Sequence, residues 1–250
     1  MSPKRKTKKT YLATARTKEL LRKIRADPVY TVRADLDQCP ATALTIIRRL
    51  SLLGQRSLDI LLLGDDDMLS VAMAQSKARK RIAVLDADGV LLSLIGGFAR
   101  DQSVELIGHD LRNRLPHALR RRFDEVFMDP PYTMSGQFLF IHQAMLALRP
   151  NLGVSLYVCA SRSYMTRGQL AGVRKFLELA GFELASAYRN FNRYKAPPDV
   201  RQDLKQRGSR VALWLYSDLF HYVRMRSAHI PRIPSEFRGG IYDYEAAPLT

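Results

Sequence analysis

The sequence predicts an α/β fold: a mostly parallel seven-stranded sheet, covered by helices on both faces and finished by an antiparallel last strand. Three observations predict it. Short apolar runs of strand length alternate with helix-length segments from Leu58 to Ala180. Four successive strands end at an acid: at Gly64-Asp65-Asp66-Asp67, at Asp86, at His109-Asp110, and at Asp129-Pro130-Pro131-Tyr132. The final two strands, Phe182–Arg189 and Arg210–Tyr216, have no helix between them.

Residues 1–10 are expected to be disordered. Tyr11 to Ala26 reads as a helix stopped at Asp27-Pro28, because the residue before proline is steered out of the helical region. Arg33 to Gln38 is a loop. Pro40 to Leu53 reads as a helix with Leu44, Ile47 and Leu50 on one face, ended by Gly54. Leu58–Leu63 is a strand and Met68–Lys77 a short helix. Arg81–Leu85 is a strand, and Asp88–Ala99 a helix with Asp88 at its N-cap. Val104–Ile107 and Asp124–Met128 are strands. Ser135–Leu148 is a helix closed by Pro150, Gly153–Cys159 a strand, and Arg167–Ala180 a helix closed by Gly181. Lys195 to Gly208 is a polar linker. From Phe220 onward the chain reads as irregular and ends in the acidic aromatic patch Tyr242-Asp243-Tyr244-Glu245. The chain thus divides into a basic arm and helix (1–26), a Rossmann-like domain (27–219) and a C-terminal tail (220–250). A parallel sheet finished by an antiparallel hairpin is the pattern of the Rossmann-like class I methyltransferase fold.

The composition narrows the function classes. The chain has 250 residues, 46% of them hydrophobic, enough for one large domain with a sizeable core. No apolar run is long enough to span a membrane, and the basic N-terminus lacks the apolar stretch of a secretory signal. Cys39 and Cys159 are far apart, and the five histidines show no ligand spacing, so no metal is expected. A reduced, cytoplasmic protein is the expectation. The net charge is +16, and the first 25 residues hold ten Lys or Arg against one Glu. Such an arm is a solvated tail or a contact with nucleic acid or another polyanion.

In open α/β sheets, ligands bind beyond the carboxyl ends of the strands, at the point where strand order reverses. That is where the acids collect. Any one of them has a bland reading as a turn or cap residue. Asp86 follows the second strand, where an acid commonly holds nucleoside ribose hydroxyls. Asp88 stands beside it, and Asp110 is placed to meet an adenine amino group. These acids suggest an adenosine-containing cofactor. In Asp129-Pro130-Pro131-Tyr132, the prolines stiffen the turn and donate no N–H. The carboxylate and the Pro130 carbonyl can then both accept hydrogen bonds from one amino group, with Tyr132 as a wall. Gly64-Asp65-Asp66-Asp67 bears on the donor. S-adenosylmethionine needs backbone N–H groups for its carboxylate at this turn. Two like unit charges about 4 Å apart repel by roughly 4 kcal/mol at an effective dielectric near 20. A decarboxylated donor ends in a cationic amine instead, and the triplet suits it.

These motifs together resemble the branched-chain polyamine synthases, also called N4-bis(aminopropyl)spermidine synthases. Further matches are Asp37-Gln38 with Thr42, His109-Asp110-Leu111-Arg112, and Asn190-Phe191-Asn192 with Tyr194; the likeness spans roughly residues 35–217. It implies SN2 transfer of an aminopropyl group from decarboxylated S-adenosylmethionine to an amine such as spermidine, releasing methylthioadenosine. Asp129 and Pro130 would hold the attacking nitrogen, and Asp67 or Asp66 would take its proton. Asp65 would meet the donor's ammonium, with Gly64, Gln38, Asp86, Asp88 and Asp110 on the cofactor side. Asn190, Asn192 and Tyr194 would complete the acceptor site. Family members carry a winged-helix domain ahead of the catalytic one, where this chain has the basic arm. The net positive charge opposes the long-range approach of a polycation.

The alternative is an S-adenosylmethionine-dependent methyltransferase acting on an amino group in RNA or DNA. The Asp129-Pro130-Pro131-Tyr132 turn, the arm and Arg120-Arg121-Arg122 favour it; the acidic triplet opposes it. A third reading is a degenerate, non-enzymatic fold that binds nucleic acid or a partner, which the intact strand-end acids oppose. The sequence leaves monomer and homodimer both open.

Overall fold

The computed structural model describes residues 15–30, 40–53, 59–75, 81–99, 104–196, 202, 205–206 and 214–235. The basic arm up to residue 14, Gln38 with Asp37, most of the linker and the terminal aromatic patch lie outside the described residues.

Residues 15–25 form a helix, α1. Then come α2 (Ala43–Leu53), β1 (Asp59–Leu63), α3 (Leu69–Gln75), β2 (Arg81–Asp86), α4 (Gly89–Ala99) and β3 (Val104–Gly108). They are followed by β4 (Glu125–Met128), α5 (Met134–Ala147), β5 (Ser155–Ala160), α6 (Arg167–Leu179), β6 (Phe182–Lys195) and β7 (Trp214–Arg224). The sheet order is β3-β2-β1-β4-β5-β7-β6. The first five strands in that order pair in parallel, and β7 runs antiparallel to both β5 and β6. This is the mostly parallel seven-stranded sheet with an antiparallel last strand that the sequence predicts.

Side chains of a strand alternate between faces, so the central strands feed two cores. Ile60 and Leu62 join the core under α1 to α4, with Ile24, Ile46, Val71 and Ile95. Leu61 and Leu63 join the core under α5 and α6, with Ile141, Met145, Phe176 and Leu177. All five residues of β1 are buried, as a strand covered on both faces requires. Among the described residues, no helix is long and apolar enough to cross a membrane.

Two expectations are corrected. The buried face of α2 is Thr45, Ile46, Arg49 and Leu53, whereas Leu44 is 51% exposed. The helix turns an arginine inward because two carboxylates wait for it there. The last strand, described from Trp214, runs on to Arg224, past the Phe220 at which irregular chain was expected, and its expected start at Arg210 lies outside the described residues. Ser217 and Asp218 look like turn residues but are buried and satisfied. Ser217 bonds Asn192 and Tyr194, and Asp218 accepts from the Asn190 N–H at 2.8 Å. The strand therefore continues through them, and its partner β6 lengthens to Lys195 to match.

Candidate active site

The chain leaves β1 outward to β2 and β3, then returns on the other side of β1 to make β4. Strand order reverses there. The pairing Leu63↔Met128 sets the two strand ends level, so Gly64-Asp65-Asp66-Asp67 and Asp129-Pro130-Pro131-Tyr132 emerge side by side.

Gly64 has φ +75°, a conformation that favours glycine, and its N–H bonds the Leu85 carbonyl at 2.9 Å. The chain thereby turns tightly against the end of β2. Asp65 is buried, and its two oxygens accept from the Leu69 N–H at 2.7 Å and the Ser70 N–H at 3.0 Å. It is therefore the N-terminal cap of α3. Burial pushes its carboxyl up to about 7. Asp66 is half-buried; its backbone carbonyl accepts from the Tyr30 hydroxyl at 3.1 Å. Burial, then the charges of Asp67, Asp129 and Asp65, raise its carboxyl well above the usual range. Asp67 is buried and accepts from the Ala41 N–H at 2.6 Å.

The second turn is stiffened by Pro130 and Pro131, and Thr133 caps α5 by accepting from the Gly136 N–H at 3.0 Å. A Cβ on Gly136 would lie 2.9 Å from both Pro131 Cβ and Pro131 O, so only glycine lets the helix start this close to the turn. Asp129 Oδ1 accepts from the Tyr132 hydroxyl at 2.9 Å. Its Oδ2 accepts from the Tyr194 hydroxyl at 2.5 Å. Burial, then the Asp129 charge, raises both phenols well above their usual value, so both remain proton donors.

Arg49 ties the two turns together. Its side chain is 1% exposed. Nη1 donates to Asp67 Oδ2 at 2.6 Å, Nη2 to Asp129 Oδ2 at 2.8 Å, and Nε to Asn192 Oδ1 at 3.0 Å. Nη2 also lies 3.1 Å from the Tyr194 hydroxyl, and the guanidinium stacks over Phe127 at 4.8 Å. Burial disfavours this cation, but Asp67 and the other facing groups outweigh burial and hold it protonated. Asn192 is itself anchored: its Nδ2 donates to Ser217 Oγ at 2.9 Å and lies 3.2 Å from Cys159 Sγ. Burial raises Asp67 above its usual value while Arg49 opposes the rise. Burial also pushes the Cys159 thiol well up, which makes it packing rather than a nucleophile.

The acids at the ends of β2 and β3 are held differently. Asp86 Oδ1 accepts from the Asp88 N–H at 2.9 Å. Asp88 caps α4, accepting from the Val90 N–H at 2.9 Å and the Leu91 N–H at 3.2 Å. Asp110 pairs with the exposed Arg112, which lowers its carboxyl below the usual range. Asn190 lies in an irregular stretch of β6 at φ 47°, exposed, with its N–H bonded to Asp218.

Of the expected site residues, the structure gathers Asp65, Asp66, Asp67, Asp129, Pro130, Tyr132, Asn192 and Tyr194 at the strand-order reversal, with Gly64 at its edge. Asp86, Asp88 and Asp110 line the neighbouring strand ends. Sequence reasoning missed Arg49, Ser217 and Tyr30. The signal for Arg49 is indirect: several carboxylates at adjacent strand ends require a buried counter-ion. Nothing local says which of the 40 Lys and Arg supplies it.

The geometry has counterparts among known proteins. The family model for the branched-chain polyamine synthase A C-terminal domain matches residues 18–207. An uncharacterized protein of Methanocaldococcus jannaschii is 35% identical over 170 residues, 66% of this chain and 42% of that protein. The N(4)-bis(aminopropyl)spermidine synthase of the same organism is 30% identical over 167 residues, 64% of this chain and 48% of its own length. The chain thus spans about half the length of these relatives. A crystal structure of a branched-chain polyamine synthase mutein from Thermus thermophilus, in complex with N4-aminopropylspermidine and 5'-methylthioadenosine, superposes with a TM-score of 0.69 at 25% identity. That likeness covers 84% of this chain and 63% of the other. The fold, the paired acidic turns and the family match agree: the chain belongs to the branched-chain polyamine synthase A C-terminal domain family.

Proposed function

We propose that this domain transfers an aminopropyl group from decarboxylated S-adenosylmethionine to an amine such as spermidine, releasing methylthioadenosine. One observation carries the reading: Asp65, Asp66, Asp67 and Asp129 converge at the strand-order reversal, and Asp65 already occupies the N–H groups that open α3. A donor that ends in a carboxylate would meet four acids there and find those N–H groups taken. A donor that ends in an ammonium meets hydrogen-bond acceptors instead, and its charge favours the ionised form of those carboxyls. The complex of the Thermus thermophilus relative with N4-aminopropylspermidine and 5'-methylthioadenosine supports the same reaction class.

The donor supplies a carbon already activated by a positive sulfur. The chain's task is to place the amine and remove its proton. The attacking nitrogen donates to Asp129 and the Pro130 carbonyl, which aims its lone pair at that carbon. The C–N bond forms as the C–S bond breaks, and the electron pair leaves on sulfur. Asp66 and Asp67 stand beside Asp129; with carboxyls raised by burial, they are suited to accept the proton that the new ammonium sheds. Tyr132, packed 6.0 Å from Tyr164, walls the pocket and offers a cation–π face. Asp86, Asp88 and Asp110 serve the ribose and adenine, with Gln38 assigned to the same side. Asn192 and Tyr194 support the acceptor side through Arg49 and Asp129.

Calorimetric titration with the donor and with S-adenosylmethionine at fixed salt tests this. Tighter binding of the decarboxylated form, weakened selectively by Asp65→Asn, is the expected result. Preference for S-adenosylmethionine points to methyl transfer, and salt-steep polynucleotide binding would then identify the acceptor.

A further inference from the structure

We propose that Arg49 is a positioning residue for the transfer. Its guanidinium holds the Asp129 carboxylate in the orientation that presents a free lone pair to the acceptor nitrogen, and supplies the counter-charge that lets Asp67 and Asp129 stand together. The proposal rests on the aminopropyl-transfer reading above.

A carboxylate offers about four lone-pair sites. Among the described residues, Asp129 uses three: Arg49 and Tyr194 on Oδ2, and Tyr132 on Oδ1. One site on Oδ1 is left, which matches a single N–H of an attacking amine. The fork cannot swing away. Its Nε is fixed by Asn192, which Ser217 anchors, and its other arm is fixed by Asp67, which the Ala41 N–H holds. Helix α2 is aimed by its own start, where the Thr42 N–H bonds the Arg193 carbonyl at 2.8 Å. Arg49 therefore sets the distance between β1's turn, β4's turn and β6 with one planar group, which a lysine cannot do.

The titratable groups facing this cluster are mostly carboxyls, with neutral phenols and a thiol among them. Asp65, Asp66 and Asp67 come from the first turn, and Asp129 and Tyr132 from the second. Cys159 faces it from β5 and Tyr194 from β6, with Tyr30 and Arg25 at the far side of Asp67. Without Arg49, Asp67 loses the cation that opposes the rise of its carboxyl. The acid limb of the rate profile then moves to higher pH.

The test measures kcat and KM for the amine against pH with decarboxylated S-adenosylmethionine in wild-type, Arg49→Lys and Arg49→Met. Methylthioadenosine binding serves as the control for an intact fold. Arg49→Met should raise the acid limb by about 1–3 pH units. Arg49→Lys should leave the limb in place and lower kcat about tenfold, because the charge remains while the fork is lost. A limb unmoved in Arg49→Met, or moved equally in both variants, overturns the proposal. If Arg49→Met does not fold, Arg49→Lys decides alone: wild-type kcat in that variant overturns it. Absence of wild-type turnover overturns the transfer reading itself, and Arg49's role with it; turnover with an indifferent Arg49 overturns only the latter.

Discussion

Asp86, Asp88 and Asp110 are bonded within their own turns, to partners two or three residues away. Asp67 and Asp129 are bonded chiefly to partners 18 to 80 residues away, through Arg49, Ala41 and Tyr194, with Tyr132 as the one local partner of Asp129. The first group is held by local bonds and is partly open to solvent. The second, with Asp67 buried and Asp129 partly so, exists only once α2, β1, β4 and β6 have met. An acid that caps its own helix can accept a ligand without disturbing the fold. An acid held by a buried cation is part of the fold, so changing it alters both positioning and packing. The two groups should respond differently to substitution.

Asp129→Asn tests the buried group and should show the largest effect. It keeps the volume and the acceptor oxygen but removes the charge that Arg49, Tyr194 and the amine all address. We expect turnover to fall roughly 100-fold or more, with methylthioadenosine binding retained. Turnover within a few-fold of wild type would remove the turn from the chemistry.

Asp65 stands between the two groups: a local cap that is also buried. Its folded value of about 7 lies above its ordinary 3.8, so the folded state holds the proton more tightly than the unfolded chain. The stability from this group is therefore full below about pH 4 and is lost as pH rises through 7. The difference in unfolding free energy between wild type and Asp65→Asn should shrink across that window, at a slope of at most about 1.4 kcal/mol per pH unit. A pH-independent difference would show that the two N–H donors already hold the anion. Asp88→Ala tests the open group and should be mildest, costing about 1 kcal/mol through the lost cap. A loss in melting temperature as large as that of Asp129→Asn would erase the difference between the two groups.

The same difference explains what the sequence makes legible. The strand ends, the caps and the sheet order rest on short-range patterns: apolar runs, Asp before a helix, Gly64 at a turn. The Asp129-Pro130-Pro131-Tyr132 turn is legible for the same reason. Arg49 is not, because its meaning lies in residues 18 and 80 positions away. The apolar residues of α2 even point the wrong way: Leu44 is exposed while Thr45 and Arg49 are buried. Ser217 and Asp218 mislead similarly. Both are polar residues that would end a solvent-facing strand, yet here they fill positions where Asn192, Tyr194 and Arg162 satisfy them.

The irregular stretch of β6 around Asn190 has a consequence for how this segment can change over generations. Tyr188 pairs with Leu219 and Asn192 with Ser217, so four steps on β6 match two on β7. Two residues are looped out. Because the looped-out residues lie outside the pairing, the loop can gain or lose a residue while the Asn192↔Ser217 pairing still delivers Asn192 and Tyr194 to the same face. A slip of that pairing by one residue turns both to the opposite side and strips Arg49 and Asp129 of their partners. Length variation should therefore gather between Tyr188 and Asn192, and spare the paired stretch from Asn192 to Lys195, wherever the site is kept.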